Sequence, residues 1–359
     1  MKKVLFIAHV ESHILNFHLP FLKLFSDEGY EVHVATNGNK AIPFCDVHHN
    51  VCFERSPLNI NNIKAYRELK EIIRNNHFDV VHCHTPVGGV LGRLAAAKSK
   101  GTRIIYTAHG FHFYKGAPLL NWLLYYPIER FMAHYTDALI TINEEDTRCA
   151  NTFHLREQGE VFMIDGIGID INHIDEVTPV EIKRQELGIK NEDILLVTAG
   201  ELNKNKNQKV IIEGLAKLDK PNYKLLICGS GQYLDKLHHY SIELGVENQV
   251  IFGGYRTDLI EVYKSSDMFI FPSLREGLPI ALLQAIACNL PCAVSNIRGN
   301  IDLIKYCSYG YTFDPRNSDE LANIIEEHDF NEQVTRNQDI FRFDIKQVIK
   351  RMKEICNIQ

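Results

Sequence analysis

Glu276 sits between an apolar run, Met268 to Phe271, and a helix-favouring run, Ile280 to Ala287, within FPSLREGLPIALLQAIACNLP. A carboxylate in that position meets the positive end of a helix, where free N–H groups attract anions. Pro279 suits a first helical turn. Gln284 is the only polar residue in the apolar run, so the helix is expected to be buried with one amide on it. The stretch is a candidate ligand site. The simpler alternative is a core helix whose dipole Glu276 complements.

Other loops carry compatible groups. GELNKNKNQ begins at Gly200 and puts Lys204 and Lys206 in an asparagine-rich turn, where flexible ammonium groups suit a diphosphate or stay solvated. Gly229 and Gly231 follow an apolar strand, Lys224 to Cys228, and let backbone approach a phosphate or nucleoside. Leu234 fills the third glycine position, so this is a weak dinucleotide fingerprint. Tyr255 and Arg256, after Val250 to Phe252, are suited to flank a base. His109 ends the strand Arg103 to Thr107 beside Gly110, placed to hydrogen-bond a sugar hydroxyl or phosphate oxygen. The polar loop HVESHILN, His9 to Asn16, carries His13 and Asn16 as ligand-facing candidates; the alternative is an ordinary turn capped by Ser12. His82, Cys83 and His84 are metal-ligand types, but their side chains alternate along a strand with no carboxylate nearby, and no metal site is expected.

These groups need strands that end at a common edge. Val4–Ala8, Glu31–Thr36, Asp79–Cys83, Arg103–Thr107 and Ala138–Asn143 read as strands, alternating with amphipathic helices such as Phe17–Glu28, Asn59–Asn75 and Gly88–Lys98. Ile194–Ala199, Lys224–Cys228, Val250–Phe252, Met268–Phe271 and a strand at Ala293 repeat the pattern. The glycine-bearing stretch VFMIDGIGIDINH, Val161 to His173, separates the two series. The fold class is therefore α/β: two doubly wound domains, 1–172 and 173–340, facing across a cleft, with ligands at the carboxyl ends of the strands. Lys206, Gly229, Gly231, Tyr255 and Glu276 converge on one such edge, which suggests a nucleotide site in the second domain with His109 supplied by the first. A C-terminal helix, 341–359, is amphipathic through Ile345, Val348, Ile349, Met352 and Ile355.

Composition narrows the class. At 359 residues the chain exceeds one hydrophobic core. A net charge of −6 argues against general nucleic-acid binding. Nine cysteines without a CxxC pair fit a reducing cytoplasm better than a disulfide framework. No apolar run approaches the roughly 18 residues of a membrane span. Phe113 to Tyr135 is the most aromatic segment and holds the single tryptophan, Trp122, beside Lys115, Arg130 and His134. It reads first as a helix packed by one face, and otherwise as an interfacial helix.

In their order, SHILNFHLPFLKLF from Ser12, HTPVGGVLGRLAA from His84, YTAHGFHFYKGAP from Tyr106, GELNKNKN from Gly200, ICGSG from Ile227 and SLREGLPIALLQAIACNLP from Ser273 resemble the retaining glycosyltransferases of family 4. The similarity spans essentially the whole chain and is nearest the bacterial branch that builds capsule, exopolysaccharide and other lipid-linked glycans. It implies the GT-B fold, a UDP-sugar donor, transfer of a hexose or N-acetylhexosamine to a lipid-linked or glycan acceptor, and no essential metal or cofactor. It also implies a cytoplasmic enzyme with peripheral contact at the inner membrane face, and a last helix that returns to the first domain. By this resemblance Glu276 contacts the donor sugar, the N–H groups of Gly277 and Leu278 hold the diphosphate, His109 lies near sugar and phosphate, and Lys206 neutralises the leaving group. Two positions depart from the pattern. Gln284 replaces the second acid of E-x7-E, which weakens the ribose contact, and Gly200 or Glu201 stands where the family has an arginine, with Lys204 as the substitute charge. Front-face departure of the phosphate is the favoured route to retention. A nucleotide-sugar epimerase, an NAD-dependent oxidoreductase and a non-catalytic sugar-nucleotide-binding protein are the alternatives.

Overall fold

A computed structural model describes residues 1–57, 59–178, 181–332 and 334–358. The chain divides into two compact units, Met1–Gly168 with the segment from Ile345, and Ile169–Asp344. The first division therefore falls four residues before the sequence-based boundary at 172, and the second four after 340.

The first unit is a sheet of seven parallel strands: β1 Lys3–Ile7, β2 Glu31–Thr36, β3 Val47–Asn50, β4 Val80–His84, β5 Arg103–Ala108, β6 Ala138–Thr141 and β7 Glu160–Met163. Their order is β3-β2-β1-β4-β5-β6-β7. β1 lies between β2 and β4, with Val4 opposite both Val32 and Val80. Strands covered on both faces need continuous apolar runs rather than alternation. β1 complies from Val4 onward, whereas β4 is buried throughout although His82 and His84 interrupt its apolar run.

The second unit repeats the plan with six strands: β8 Ile194–Ala199, β9 Tyr223–Cys228, β10 Val250–Gly254, β11 Met268–Phe271, β12 Cys292–Ser295 and β13 Gly310–Phe313, ordered β10-β9-β8-β11-β12-β13. Both are doubly wound, Rossmann-like sheets. In each, the order reverses beside the unit's first strand, at β1/β4 and at β8/β11. Such a reversal opens a crevice where ligands bind.

Three strands differ from the sequence reading. β3 and β13 are short and partly exposed, too weakly apolar to announce themselves. β7 occupies the start of the stretch read as a domain boundary, because Glu160–Met163 pairs with β6 at the sheet edge. The last helix, Ile345–Cys356, packs on the helix Leu19–Asp27 within the first unit, where Arg103 donates to the Ile355 carbonyl at 2.9 Å.

Candidate active site

In the second unit the loops after β8 and β11 meet at the sheet reversal. Lys206 Nζ lies 2.6 Å from Glu276 Oε1, both side chains largely but not fully covered, and 4.7 Å above the Phe271 ring. Loop chemistry holds the pair. Asn203 accepts from the Lys206 N–H at 3.0 Å, and Asn205 donates to the Arg275 carbonyl at 3.0 Å and accepts from Leu274 through its own carbonyl at 2.8 Å. Asn207, at φ +54°, donates to the carbonyls of Pro272 and Pro315. The run of asparagines thus fixes one loop to the next, each amide standing in for a missing backbone partner.

Beyond Glu276, the N–H groups of Gly277 and Leu278 have no acceptor among the described residues. The helix begins at Ile280, and Pro279 is its N-cap with extended backbone rather than a first-turn residue. Its carbonyl accepts the first helical bond from Leu283 at 3.1 Å. A carboxylate, an ammonium group and free N–H groups at a helix start together suit an anion attached to a hydroxyl-bearing group. Gln284 lies one turn into this helix, half-buried, and its amide makes no hydrogen bond among the described residues.

In the first unit the corresponding reversal gathers histidines. His109 follows β5, His84 ends β4, and His13 and His18 come from the segment after β1. His109 Nε2 is 3.4 Å from His84 Nδ1, and its ring meets that of His13 edge-on at 4.8 Å. Burial, and then the neighbouring His82, lower the His109 pKa to about 4, so its imidazole is neutral near pH 7. A neutral ring offers one donor and one acceptor. The loop carrying it is anchored where Asp146, in a helix capped by Asn143, accepts from the Phe111 N–H at 2.9 Å. Thr85, immediately after His84, adopts φ +62°, an outlier for a β-branched residue, and its hydroxyl accepts from the His9 N–H at 3.1 Å. Strain of this kind concentrates at functional sites.

Comparison with known proteins identifies the chemistry. Residues 3–143 match the family described as glycosyl transferase 4-like, and residues 179–336 match glycosyl transferases group 1. EpsD, a Bacillus subtilis (strain 168) protein named for glycosyltransferase activity, is 41% identical over 91% of this chain and 87% of its own. The chain belongs to this glycosyltransferase family. An Escherichia coli relative, the UDP-Gal:alpha-D-GlcNAc-diphosphoundecaprenol alpha-1,3-galactosyltransferase, is 28% identical over 74% of this chain and 70% of its own. The crystal structure of Anabaena Alr3699/HepE in complex with UDP and glucose superposes with a TM-score of 0.80 at 18% identity, covering 100% of both chains. That likeness establishes the GT-B type of fold.

The remaining sequence candidates of this glycosyltransferase separate into several groups. Gly229 and Gly231 serve the loop itself: a Cβ on Gly229 would lie 1.9 Å from the Gly200 carbonyl oxygen, and one on Gly231 2.4 Å from that of Leu202. Their glycine character is thus explained by backbone packing under the Lys206 loop, independently of any ligand. Lys204 is exposed on the same turn. Tyr255 is 77% exposed, whereas Arg256 is committed to Asp258 through both Nε and Nη2. The edge of its guanidinium is therefore already paired, which leaves its flat face to flank a base. Asp258 also pairs with Lys183 at 2.8 Å, and the Arg256 guanidinium holds its pKa down at about 2.

His13 and Asn16 lie on a helix, Glu11–Phe17, rather than in a loop, and its N-cap is Val10, not Ser12. His13 faces the other histidines while Asn16 is exposed. Cys83, opposite in direction to His82 and His84 on the strand, packs under the helix Pro86–Ala96 near Gly92. Sequence reasoning missed His18 as a site residue, although it lies within SHILNFHLPFLKLF, and Gly299, whose missing side chain leaves room for the Gly277 carbonyl. A lone glycine after β12 was the only available signal.

The aromatic segment packs by one face, as expected, and leaves a wide apolar face exposed. The helix Leu119–Ala133 buries Glu129, Met132 and Ala133, but Leu119 is 74% exposed, Leu123 65% and Phe131 56%. Tyr125, Tyr126 and Ala133 pack its inner face on the core of the first unit, with Phe113 against Trp122 and Tyr126, and a polar network joins them. Arg93, fully buried, donates to Glu129 at 2.8 Å and to the Gly89 carbonyl at 2.8 Å, and stacks 3.8 Å over Tyr106. The Tyr106 hydroxyl donates to the other Glu129 oxygen at 3.1 Å. The anchored face is narrow, so the apolar remainder points outward.

Proposed function

We propose that this glycosyltransferase moves a hexose or N-acetylhexosamine from a UDP-sugar to a lipid-linked glycan acceptor, with retention at the anomeric carbon. The observation that carries the reading is the Lys206–Glu276 pair beside the unpaired N–H groups of Gly277 and Leu278. In this reading the donor diphosphate takes those N–H groups and Lys206, and Glu276 turns to the sugar hydroxyls. Lys206 then stabilises negative charge on the departing diphosphate. The leaving phosphate oxygen accepts the acceptor's proton as the new glycosidic bond forms on the same face. His109, neutral, hydrogen-bonds a sugar hydroxyl or phosphate oxygen. Gln284 gives the ribose an uncharged amide where a carboxylate would bind more strongly. The transfer needs no metal, since Lys206 and backbone N–H groups provide the counter-charge.

A lipid-linked acceptor is supported by the diphosphoundecaprenol substrate in the Escherichia coli relative's name and by the outward apolar face of Leu119–Ala133. Lys115, Arg130 and His134 are exposed around that face. Apolar side chains flanked by cations suit the surface of an anionic bilayer. None of the helices among the described residues is long and apolar enough to cross a membrane. The free cysteines support a reducing compartment, the cytoplasmic side.

The test is UDP release from a panel of UDP-sugars with and without a polyprenyl-diphosphate-linked sugar, followed by NMR of the product's anomeric proton. Acceptor-dependent release and an unchanged anomeric configuration support the proposal. Release without acceptor, or epimerised donor, favours the epimerase. A covalent glycosyl-enzyme seen by mass spectrometry overturns front-face departure.

A further inference from the structure

The histidine cluster of the first unit has a property that glycosyl transfer leaves unused. His13, His18, His84 and His109 each present a ring nitrogen, and these four atoms all lie within 4.8 Å of one another. Among the described residues this is the only group of three or more such ligands. The side chains arrive from three places: the segment after β1, the end of β4, and the loop after β5. His18 and His84 are 1% and 0% exposed, their ring centroids 3.9 Å apart.

The nitrogens are short of partners. Both ring nitrogens of His18, Nε2 of His84 and Nε2 of His13 have no hydrogen-bond partner among the described residues. A buried polar atom left in that condition opposes folding. The fold nevertheless draws several of them to one point. A cation that accepts several lone pairs at once satisfies them together.

The geometry points to a transition-metal site formed by His13, His18, His84 and His109. Tetrahedral zinc–nitrogen bonds of about 2.0–2.1 Å separate ligand atoms by about 3.3 Å. The cluster reaches that by drawing in through side-chain rotation. A ligand set made only of imidazole favours Zn²⁺, Ni²⁺, Cu²⁺ or Co²⁺ over the oxygen-seeking Mg²⁺ and Ca²⁺. Lacking thiolate or carboxylate, it leaves the metal's double charge unneutralised, so binding is reversible and weaker than in a structural zinc site. Because His109 is one of the ligands, a bound metal occupies the ring that the proposed transfer reaction uses, and this consequence rests on the function proposed above. The metal therefore acts as an inhibitor rather than a cofactor.

The test is titration of Co²⁺ into metal-stripped, full-length protein carrying no polyhistidine tag, without donor or acceptor. Expected are one equivalent bound, visible ligand-field bands of tetrahedral cobalt, displacement by Zn²⁺, and no response to Mg²⁺ or Ca²⁺. His13→Asn, at the half-buried edge of the cluster, should weaken binding by roughly tenfold or more, because a coordinate bond is removed from a site that folding preforms. His84→Gln should abolish the tetrahedral spectrum, and circular dichroism and thermal melting report whether that variant is folded. If it is not, wild type and His13→Asn decide the matter. Absence of saturable binding by wild type, or unchanged affinity in His13→Asn, overturns the site. In the activity assay, Zn²⁺ should lower turnover and chelation restore it. Metal binding without inhibition keeps the site but removes His109 from the reaction, whereas inactivity under all conditions bears on the proposed function alone.

Discussion

The same architectural position is furnished differently in the two units. At the β8/β11 reversal the second unit has an ammonium–carboxylate pair on asparagine-laced loops, with both side chains still reachable by water. At the β1/β4 reversal the first unit has neutral rings packed against one another, two of them fully enclosed. Partly hydrated charges can exchange partners when a ligand arrives. Enclosed rings that mutually suppress protonation offer donors and acceptors without charge. The difference assigns adaptable charge to the second unit and uncharged hydrogen bonding to the first.

Several experiments would break or sharpen that contrast. The largest effect is expected on stability in the first unit. Glu129→Ala leaves the fully buried Arg93 without its carboxylate and should cost about 3–5 kcal/mol, read by denaturant unfolding. Lys206→Ala should do the reverse: little change in unfolding, but turnover lower by roughly 10²–10³-fold, the range for losing one charge-stabilising donor. Equal stability losses in both variants would erase the contrast.

Acid should separate the units next. His49 is held down to about 4 by burial, then by His33 and His48. The unfolded chain, with an ordinary histidine pKa of about 6.5, binds that proton first. Stability is therefore intact above about pH 6.5 and falls between there and about 4, by at most about 1.4 kcal/mol per pH unit. Partial exposure of the ring reduces this figure. Asp258 has the opposite sign of charge and a pKa lowered to about 2, so its contribution persists above about 4 and is lost only as pH falls toward 2. Hydrogen exchange at pH 5 should accordingly show the first unit loosening before the second.

The smallest effect concerns the donor. Gln284→Glu restores a charged acceptor and should tighten UDP-sugar binding by about 1 kcal/mol, roughly fivefold, in calorimetric titration. Unchanged affinity would separate Gln284 from the ribose.

Much of the second unit was legible because its chemistry is local. Glu276, Gly277 and Leu278 are consecutive, follow an apolar strand and precede an apolar helix, and Lys206 lies in a loop with its own asparagine signature. Glycine was less transparent. Gly229 and Gly231 read as ligand-facing, yet the space a side chain would need is filled by the backbone of Gly200 and Leu202. Arg256 likewise looked wholly available, yet Asp258, two residues on, binds it on two nitrogens.

The first unit was less legible because its site is assembled from distant segments. The enrichment was visible, with 13 of 17 histidines before residue 172. Its meaning was not, since His84 was judged beside Cys83, its neighbour in sequence, rather than beside His18 and His109, its neighbours in space. The aromatic helix shows the same limit. One face packs inward through Tyr125, Tyr126, Met132 and Ala133 beside the Arg93–Glu129–Tyr106 network, and the leucines turn out.

By itself, then, the sequence determined the alternation of buried strands and helices, the family, and the candidate donor loops, because each depends on residues close together in the chain. Only the tertiary structure decided which strands lie beside the reversal in each sheet, which glycines pack on backbone, which cations are already paired, and which histidines meet. Those outcomes depend on contacts between segments far apart in sequence, where neither periodicity nor spacing carries information.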